Sequence, residues 1–250
     1  AKTMSAVSKV KVPLTTSPRF QKEAAEIALQ MSQFSVDELE RLLRVNAKIA
    51  VENYKRYQAF HAEATPELPA LLAYTGIVFK RLNPKDFSAE DFGYAQEHLR
   101  LTSFCYGLLR PLDVIRAYRL EGDVVLPELG NQTLFSYWRS RLTDTFIEDI
   151  RSAGGILCNL ASDEMKSLFD WKRVESEVRV VTPEFHVWKN GKLATIVVYT
   201  KMSRGEMTRF ILKNKIGNPE ELKGFSWEGF EFDESLSDEK KLVFINGMGE

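Results

Sequence analysis

The sequence predicts a mixed α/β fold, on three observations. Apolar residues recur at three- and four-residue spacing over 19–60 and 134–150, the period of amphipathic helices. Two strand-like runs within 185–199 flank Lys189-Asn190-Gly191-Lys192, and Asn-Gly supplies the positive φ angles of a tight hairpin turn. Helical and strand signals then mix without strict alternation, which predicts α+β organisation around a central mixed sheet. With 250 residues and no Gly/Ser linker, the chain is expected to form a single compact domain over 1–250.

The elements follow in order. Residues 20–31 have helical period, and Ser35 with Glu38 forms a capping box for a second helix. That helix carries Val36, Leu39, Leu42, Leu43, Ile49 and Ala50 on one face, so 20–58 reads as a helical hairpin with its turn at 32–35. Residues 71–74 read as a short buried strand before a turn at Gly76, and Ser88 caps a long helical stretch running to Leu109 and stopped by Pro111. Residues 134–150 place Phe135, Trp138, Leu142 and Phe146 on one helix face, 156–160 is a strand, and Ser162 opens another helix. After the hairpin, a helix is expected at 205–215, and another is capped by Asn218 with Pro219 at its first position. The last strand is 242–245.

Composition excludes several classes. The longest apolar stretch, 194–199, is six residues broken by Thr195, far short of the roughly 20 a membrane span needs. Cys105 and Cys158 both lie in apolar surroundings, which predicts two buried free thiols and a reducing cytoplasm. His61, His98 and His186 are far apart without metal spacing, and the chain has no phosphate loop, nucleophile elbow or HExxH motif. No metal and no cofactor is expected.

Net charge is −1, yet the charges are segregated. Residues 1–22 carry +5 (Lys2, Lys9, Lys11, Arg19, Lys22), residues 199–215 carry +4 and residues 228–240 carry −5. Each block is either a solvated surface or a local patch for an anionic partner. Arg41, Arg44, Lys48 and Lys55 fall at offsets that share one helix face, with Glu52 weakening the same stripe, so they are either a solvated face or the candidate track for DNA phosphates.

Three further segments are dense in polar groups near element ends. Arg110 and Asp113 lie around a Pro-stopped helix end, followed by Tyr118-Arg119-Leu120-Glu121. Asn159 to Lys166 runs from a strand into a helix through Ser162, Asp163 and Glu164. Lys201 and Arg204 precede Gly205, where a helix N-terminus would add backbone donors for a phosphate or carboxylate. Buried ion pairs and plain helix caps account for the same residue types.

Taken in order, these segments resemble the YaaA family of bacterial peroxide-stress proteins, over essentially the whole chain. The resemblance rests on Ala1-Lys2-Thr3, Gln96-Glu97-His98-Leu99-Arg100, Tyr106 to Asp113, Tyr118 to Glu121, Asn159 to Glu164, Arg204 to Ile211, and Glu228 to Phe232. The chain departs from the family pattern at Ile77, where an acid is common, at Glu121-Gly122, where a Met usually intervenes, and at Asn246, where a basic residue is expected. The resemblance implies a cytoplasmic protein of the hydrogen peroxide response that limits unincorporated iron and Fenton damage. It also implies sequence-independent binding of duplex DNA through a basic cleft and a helix-hairpin-helix element, placed at 20–58 or around Gly76. An enzyme acting on a small or nucleotide-like anion is the alternative. In either case Lys2, Arg110, Glu121, Ser162, Glu164, Lys201 and Arg204 are the candidate residues of one concavity.

Overall fold

The computed structural model describes residues 3–247. Residues 3–5 lie against 73–75, with the Thr75 N–H donating to the Thr3 carbonyl at 2.9 Å and the Ser5 N–H to the Ala73 carbonyl at 2.8 Å. Three helices follow: α1 (Gln21–Met31), α2 (Val36–Leu43) and α3 (Ala47–Ala59). The capping box forms as read, the Ser35 backbone N–H donating to Glu38 at 2.7 Å and the Glu38 N–H to the Ser35 hydroxyl at 3.3 Å. The second arm of the expected hairpin, however, is two helices. Arg44 turns left-handed (φ 51°, ψ 52°) and ends α2, and the Asn46 side chain then caps α3 by accepting from the Ile49 N–H at 3.0 Å.

The next stretch corrects two readings. Strand β1 (Glu67–Pro69) pairs antiparallel with β4 (Val114–Arg116), and 70–73 form a helical turn, α4 (Ala70–Ala73), instead of a strand. Four buried apolar residues fit either element, and here the Tyr74 N–H closes back on the Ala70 carbonyl. After α5 (Ile77–Leu82), helix α6 (Ala89–His98) ends at His98, well short of Leu109. Residues 101–109 fold back as the ladder β2 (Leu101–Ser103) and β3 (Gly107–Leu109). Gly107 makes the return possible: its φ is +70°, and a Cβ there would lie 2.7 Å from the Trp138 ring.

The remainder is β5 (Val125–Leu126), β6 (Gln132–Thr133), α7 (Leu134–Ser152), β7 (Ile156–Cys158), α8 (Asp163–Lys166) and α9 (Trp171–Glu177), then β8 (Arg179–Lys189), β9 (Lys192–Ala194), α10 (Val197–Asn214), β10 (Phe230–Phe232) and β11 (Lys241–Asn246). The mixed sheet runs β10-β11-β8-β7, with β9 also pairing β8; β8 is parallel to β7 and β11 and antiparallel to β9. Asn190 (φ 53°) and Gly191 (φ 70°) make the expected hairpin turn. Every strand of this sheet comes from the C-terminal half; the earlier strands form two-stranded ladders.

Two main cores result. One packs α1, α3, α7 and the β2–β3 ladder around Ile27, Leu39, Tyr57, Leu109 and Trp138; the other packs Val181, Phe185, Phe230 and Phe244 against Met207 of α10. They belong to one domain, whose sheet half is locked to the α5 segment where α10 crosses α5 at Gly205. A Cβ on Gly205 would stand 2.3 Å from the Val78 carbonyl oxygen, so only glycine permits this approach. Helix α10 starts at Val197, eight residues before the expected start. Ala194 and Ile196 tuck into the core, which ends β9 after three residues and leads directly into the helix. Both cysteines are free. Among the described residues no helix is long and apolar enough to cross a membrane.

Candidate functional site

The basic block on α10 divides into two halves. Arg209 donates to Asp86 at 2.5 Å and to the Asn83 carbonyl at 2.6 Å, while Lys213 and Lys215 hold Asp91 at 2.9 and 3.0 Å. Burial alone would raise the Asp91 carboxyl. The lysines and the Ser88 N–H outweigh it and hold the group well below the usual carboxylate range. The C-terminal half is therefore neutralised within the fold. The N-terminal half carries Lys201, which is exposed, and the half-buried Arg204.

These two residues lie inside α10, which corrects their expected place before a helix N-terminus at Gly205. Backbone N–H groups at 203–205 are spent on intrahelical bonds, so no donors there supplement the cations. Burial lowers the Arg204 guanidinium, and the charge of Asp163 partly restores it. That coupling places α8 beside α10.

A second charged group centres on Glu121, which is 1% exposed. Arg44 approaches it at 4.0 Å and Arg119 at 3.9 Å. Arg44 also holds Asp123 in a bidentate pair at 2.6 and 3.2 Å. Asp123 chiefly raises the Arg44 pKa, with further contributions from Glu121 and Glu164, so acids from the 121–123 loop and α8 face one arginine. Gly122 lets the Phe135 ring close over this loop, since a Cβ there would lie 2.4 Å from the ring. Glu121 and Glu164 thus act on Arg44, and Asp163 acts on Arg204.

Arg110 makes its contacts elsewhere. It donates to Asp113 at 2.8 Å and to the Ser17 carbonyl at 3.0 Å, and Asp113, wholly buried, also accepts from Thr16 at 2.6 Å. This ties the N-terminal segment to the β3–β4 loop. Ser162 occupies the N-cap of α8, but its side chain makes no capping bond. Lys2 lies outside the described residues. The cationic stripe of Arg41, Arg44, Lys48 and Lys55 does not exist on one helix, because the left-handed Arg44 separates α2 from α3. Two depressions, of about 320 Å³ beside Arg139 and Arg173 and about 330 Å³ beside Phe34 and Arg41, are lined by neither Glu121 nor Lys201.

One cationic path escaped the block count. Residues 185–205 contain no acid and carry Lys189, Lys192, Lys201 and Arg204. Among the described residues the three lysines form no ion pair. Counting charge over 185–205 in place of 199–215 would have found it.

These features define a mixed α/β protein with buried ion-pair networks and an acid-free segment over 185–205 whose three lysines make no ion pair among the described residues. The chain matches the family model described as peroxide stress protein YaaA over residues 1–236, and it belongs to that family. It is similar to a "UPF0246 protein" of Bacteroides thetaiotaomicron, 99% identical over 250 residues, covering all of this chain and 97% of the relative. A "UPF0246 protein" of Bacteroides fragilis is 78% identical over the same span, again covering all of this chain and 97% of the relative. A "UPF0246 protein" of Crocosphaera subtropica is 37% identical over 246 residues, covering 98% and 97% of the two chains.

Proposed function

We propose that this peroxide-stress protein acts in the cytoplasm by binding nucleic acid through its phosphates, without reading sequence, along the path from Lys189 and Lys192 to Lys201 and Arg204. The observation that carries the proposal is the absence of any acid across 185–205 in a chain of net charge −1. Elsewhere the cations of α10 are spent on internal carboxylates, as Arg209, Lys213 and Lys215 show. Unneutralised lysines gain by releasing the counterions condensed on a polyanion. Shielding of DNA in this way would reduce Fenton damage, which fits membership of a peroxide-stress family. A helix-hairpin-helix contact in this reading would use the α2–α3 turn, which exposed Arg41 and Lys48 flank.

The test is duplex affinity as a function of salt. Each lost phosphate contact should lower the slope of log K against log salt by about 0.9. Lys201→Ala should produce close to that change on unrelated sequences. Arg204→Ala should produce less, because Asp163 already offsets part of its charge. Unchanged affinity and slope in both variants removes the duplex from this path.

The second reading is a site for a small or nucleotide-like anionic substrate around Glu121, and the buried carboxylate between Arg44 and Arg119 favours it. Saturable binding of mononucleotides that Glu121→Gln abolishes and Lys201→Ala does not would support it over the first.

A further inference from the structure

Strand β8 buries one face only. Val181, Phe185 and Val187 turn into the core, so by alternation Glu184, His186 and Trp188 share the opposite face. Strand β9 pairs antiparallel with β8, and Trp188 faces Leu193 across the pair. Continuing that register beyond Val187 and Ala194 sets Thr195 opposite His186, and there the side chains meet. The His186 Nδ1 lies 3.1 Å from the Thr195 hydroxyl oxygen, and the His186 Nε2 lies 3.1 Å from the Glu184 carboxylate. A carboxylate only accepts, so in the neutral ring Nε2 carries the proton and donates to Glu184, leaving Nδ1 to accept from the Thr195 hydroxyl. A hydroxyl, a base and a carboxylate that orients the base thus stand in line, both contacts within the reach an activated nucleophile needs. His98 makes a contrast: it stacks on Tyr94 and bonds to the Tyr94 carbonyl, which is packing.

Two features surround this relay. Helix α10 begins at Val197, and its first turn closes with the Thr200 N–H donating to the Ile196 carbonyl at 2.9 Å. The N–H groups of residues 197–199 therefore have no acceptor within the helix, and they follow the hydroxyl closely as donors for an oxyanion. On the same sheet face, two residues or about 7 Å along the strands, lies the Trp188–Leu193 pair, 40% and 39% exposed. We propose that Glu184, His186 and Thr195 form a hydrolytic site for esters of apolar carboxylic acids, the acyl group lying on Trp188 and Leu193. The site uses none of the cations of the phosphate-binding reading and is independent of it. Thr195 Oγ1 attacks the ester carbonyl carbon while its proton passes to His186 Nδ1. The adduct collapses, the bond to the alcohol oxygen breaks, and the alcohol leaves with the proton from Nδ1. Water then attacks the acyl-threonine and gives a proton to Nδ1; collapse frees the acid, and that proton returns to Oγ1. Ester and water become acid and alcohol, with no other reactant. Glu184 touches only His186, so it is a positioning residue that fixes the tautomer and balances the imidazolium.

The test uses the full chain with p-nitrophenyl acetate and p-nitrophenyl octanoate, and with a fluorophosphonate whose adduct is mapped by mass spectrometry. Wild type should turn over the octanoate saturably and carry one adduct, on Thr195. Thr195→Val should lose both, and Thr195→Ser should keep both. His186→Gln should lower kcat by roughly 100- to 10,000-fold, the share a general base supplies. Glu184→Gln should lower kcat by about tenfold or more at unchanged KM, a split that loss of structure alone would not give. Trp188→Ala should raise KM for the octanoate by roughly tenfold, through lost apolar contact, and leave the acetate within about twofold. Hydrolysis that survives Thr195→Val but falls with His186→Gln assigns the chemistry to the imidazole alone and overturns the nucleophile. Wild type that neither saturates with the octanoate nor takes the adduct at Thr195 overturns the site, a result that needs no variant. Either outcome leaves the phosphate-binding reading standing, since that reading is judged by duplex affinity.

Discussion

Gly205 offers the most direct check on how the two halves of the molecule meet. Adding one methyl there puts a carbon 2.3 Å from the Val78 carbonyl oxygen, 3.1 Å from the Val78 carbonyl carbon and 2.7 Å from the Arg81 Cβ. Ordinary contact is roughly 3.5 Å, so α5 must retreat by about 1 Å, and a gap of that size forfeits up to half of each lining contact. The closest obstacles are backbone, which no rotamer change can clear. The cost therefore belongs at the upper end of overpacking, about 3 kcal/mol. Against this stands the gain in helix propensity on replacing glycine by alanine in mid-helix, about 1 kcal/mol. The net expectation for Gly205→Ala is a loss of about 2 kcal/mol. Gly93, in α6, is the internal control, because nothing lies within 4 Å of a Cβ built there. Gly93→Ala should show the propensity term alone and gain up to about 1 kcal/mol. Urea unfolding gives both values, and melting should show Gly205→Ala lower by about 4–8 °C and Gly93→Ala higher by about 2–4 °C, given the size of the chain. A Gly205→Ala protein as stable as wild type would mean that α5 yields freely and that this crossing does not hold the two halves together.

Other outcomes follow from the charge networks and thiols. Arg209 holds Asp86 below the usual carboxylate range; burial would raise Asp91 and Asp149, but their lysine and arginine partners outweigh it. A depressed carboxyl stabilises the native state above its unfolded pKa of about 4 and loses that contribution as pH falls through the folded value. Melting temperature should therefore drop steeply below about pH 4, and Asp91→Asn should be less stable at neutral pH but lose less on acidification. Burial pushes both thiols up, Cys158 to about 12, and Cys105 is fully enclosed. Native-state alkylation should be slow at both, with the partly buried Cys158 reacting first; labelling of either faster than free cysteine would show an activated thiol. The salt slopes of the Lys201→Ala and Arg204→Ala variants, given above, test the phosphate path.

The parts of this fold that were legible in sequence are those decided within a few residues. The Ser35–Glu38 capping box and the Asn190-Gly191 turn each carry a local mechanism, and both formed as read. Segments decided by distant partners were not legible. Residues 70–73 became helical in a stretch where the Ala70 and Leu71 N–H groups bond to the carbonyls of Asp113 and Pro111, some forty residues away. The long helix expected after Ser88 failed because Gly107 could turn back beneath Trp138, a contact invisible in its own window. The start of α10 was misplaced because Val197-Val198-Tyr199 has strand composition, and only the burial of Ala194 and Ile196 shows where the strand must stop.

The candidate site shows the same division between local and distant information. The sequence groups Lys201, Arg204, Arg209, Lys213 and Lys215 as one basic block. In the fold, Asp86 and Asp91, more than 120 positions away, remove the last three from it. Local charge counting cannot anticipate that subtraction, and it changes what the block can do. Cations used to hold α10 onto the 83–91 segment serve stability, and breaking them should cost stability first. Cations left over on the same helix, and on the hairpin before it, have no such use. Their mutual repulsion instead costs the fold a little, most visibly where Lys189 faces Lys192. A charge arrangement that is unfavourable in isolation becomes favourable once a polyanion lies along it. Removing Lys189 and Lys192 should therefore weaken duplex binding without lowering the melting temperature, which separates surface charge retained for a ligand from charge retained for the fold.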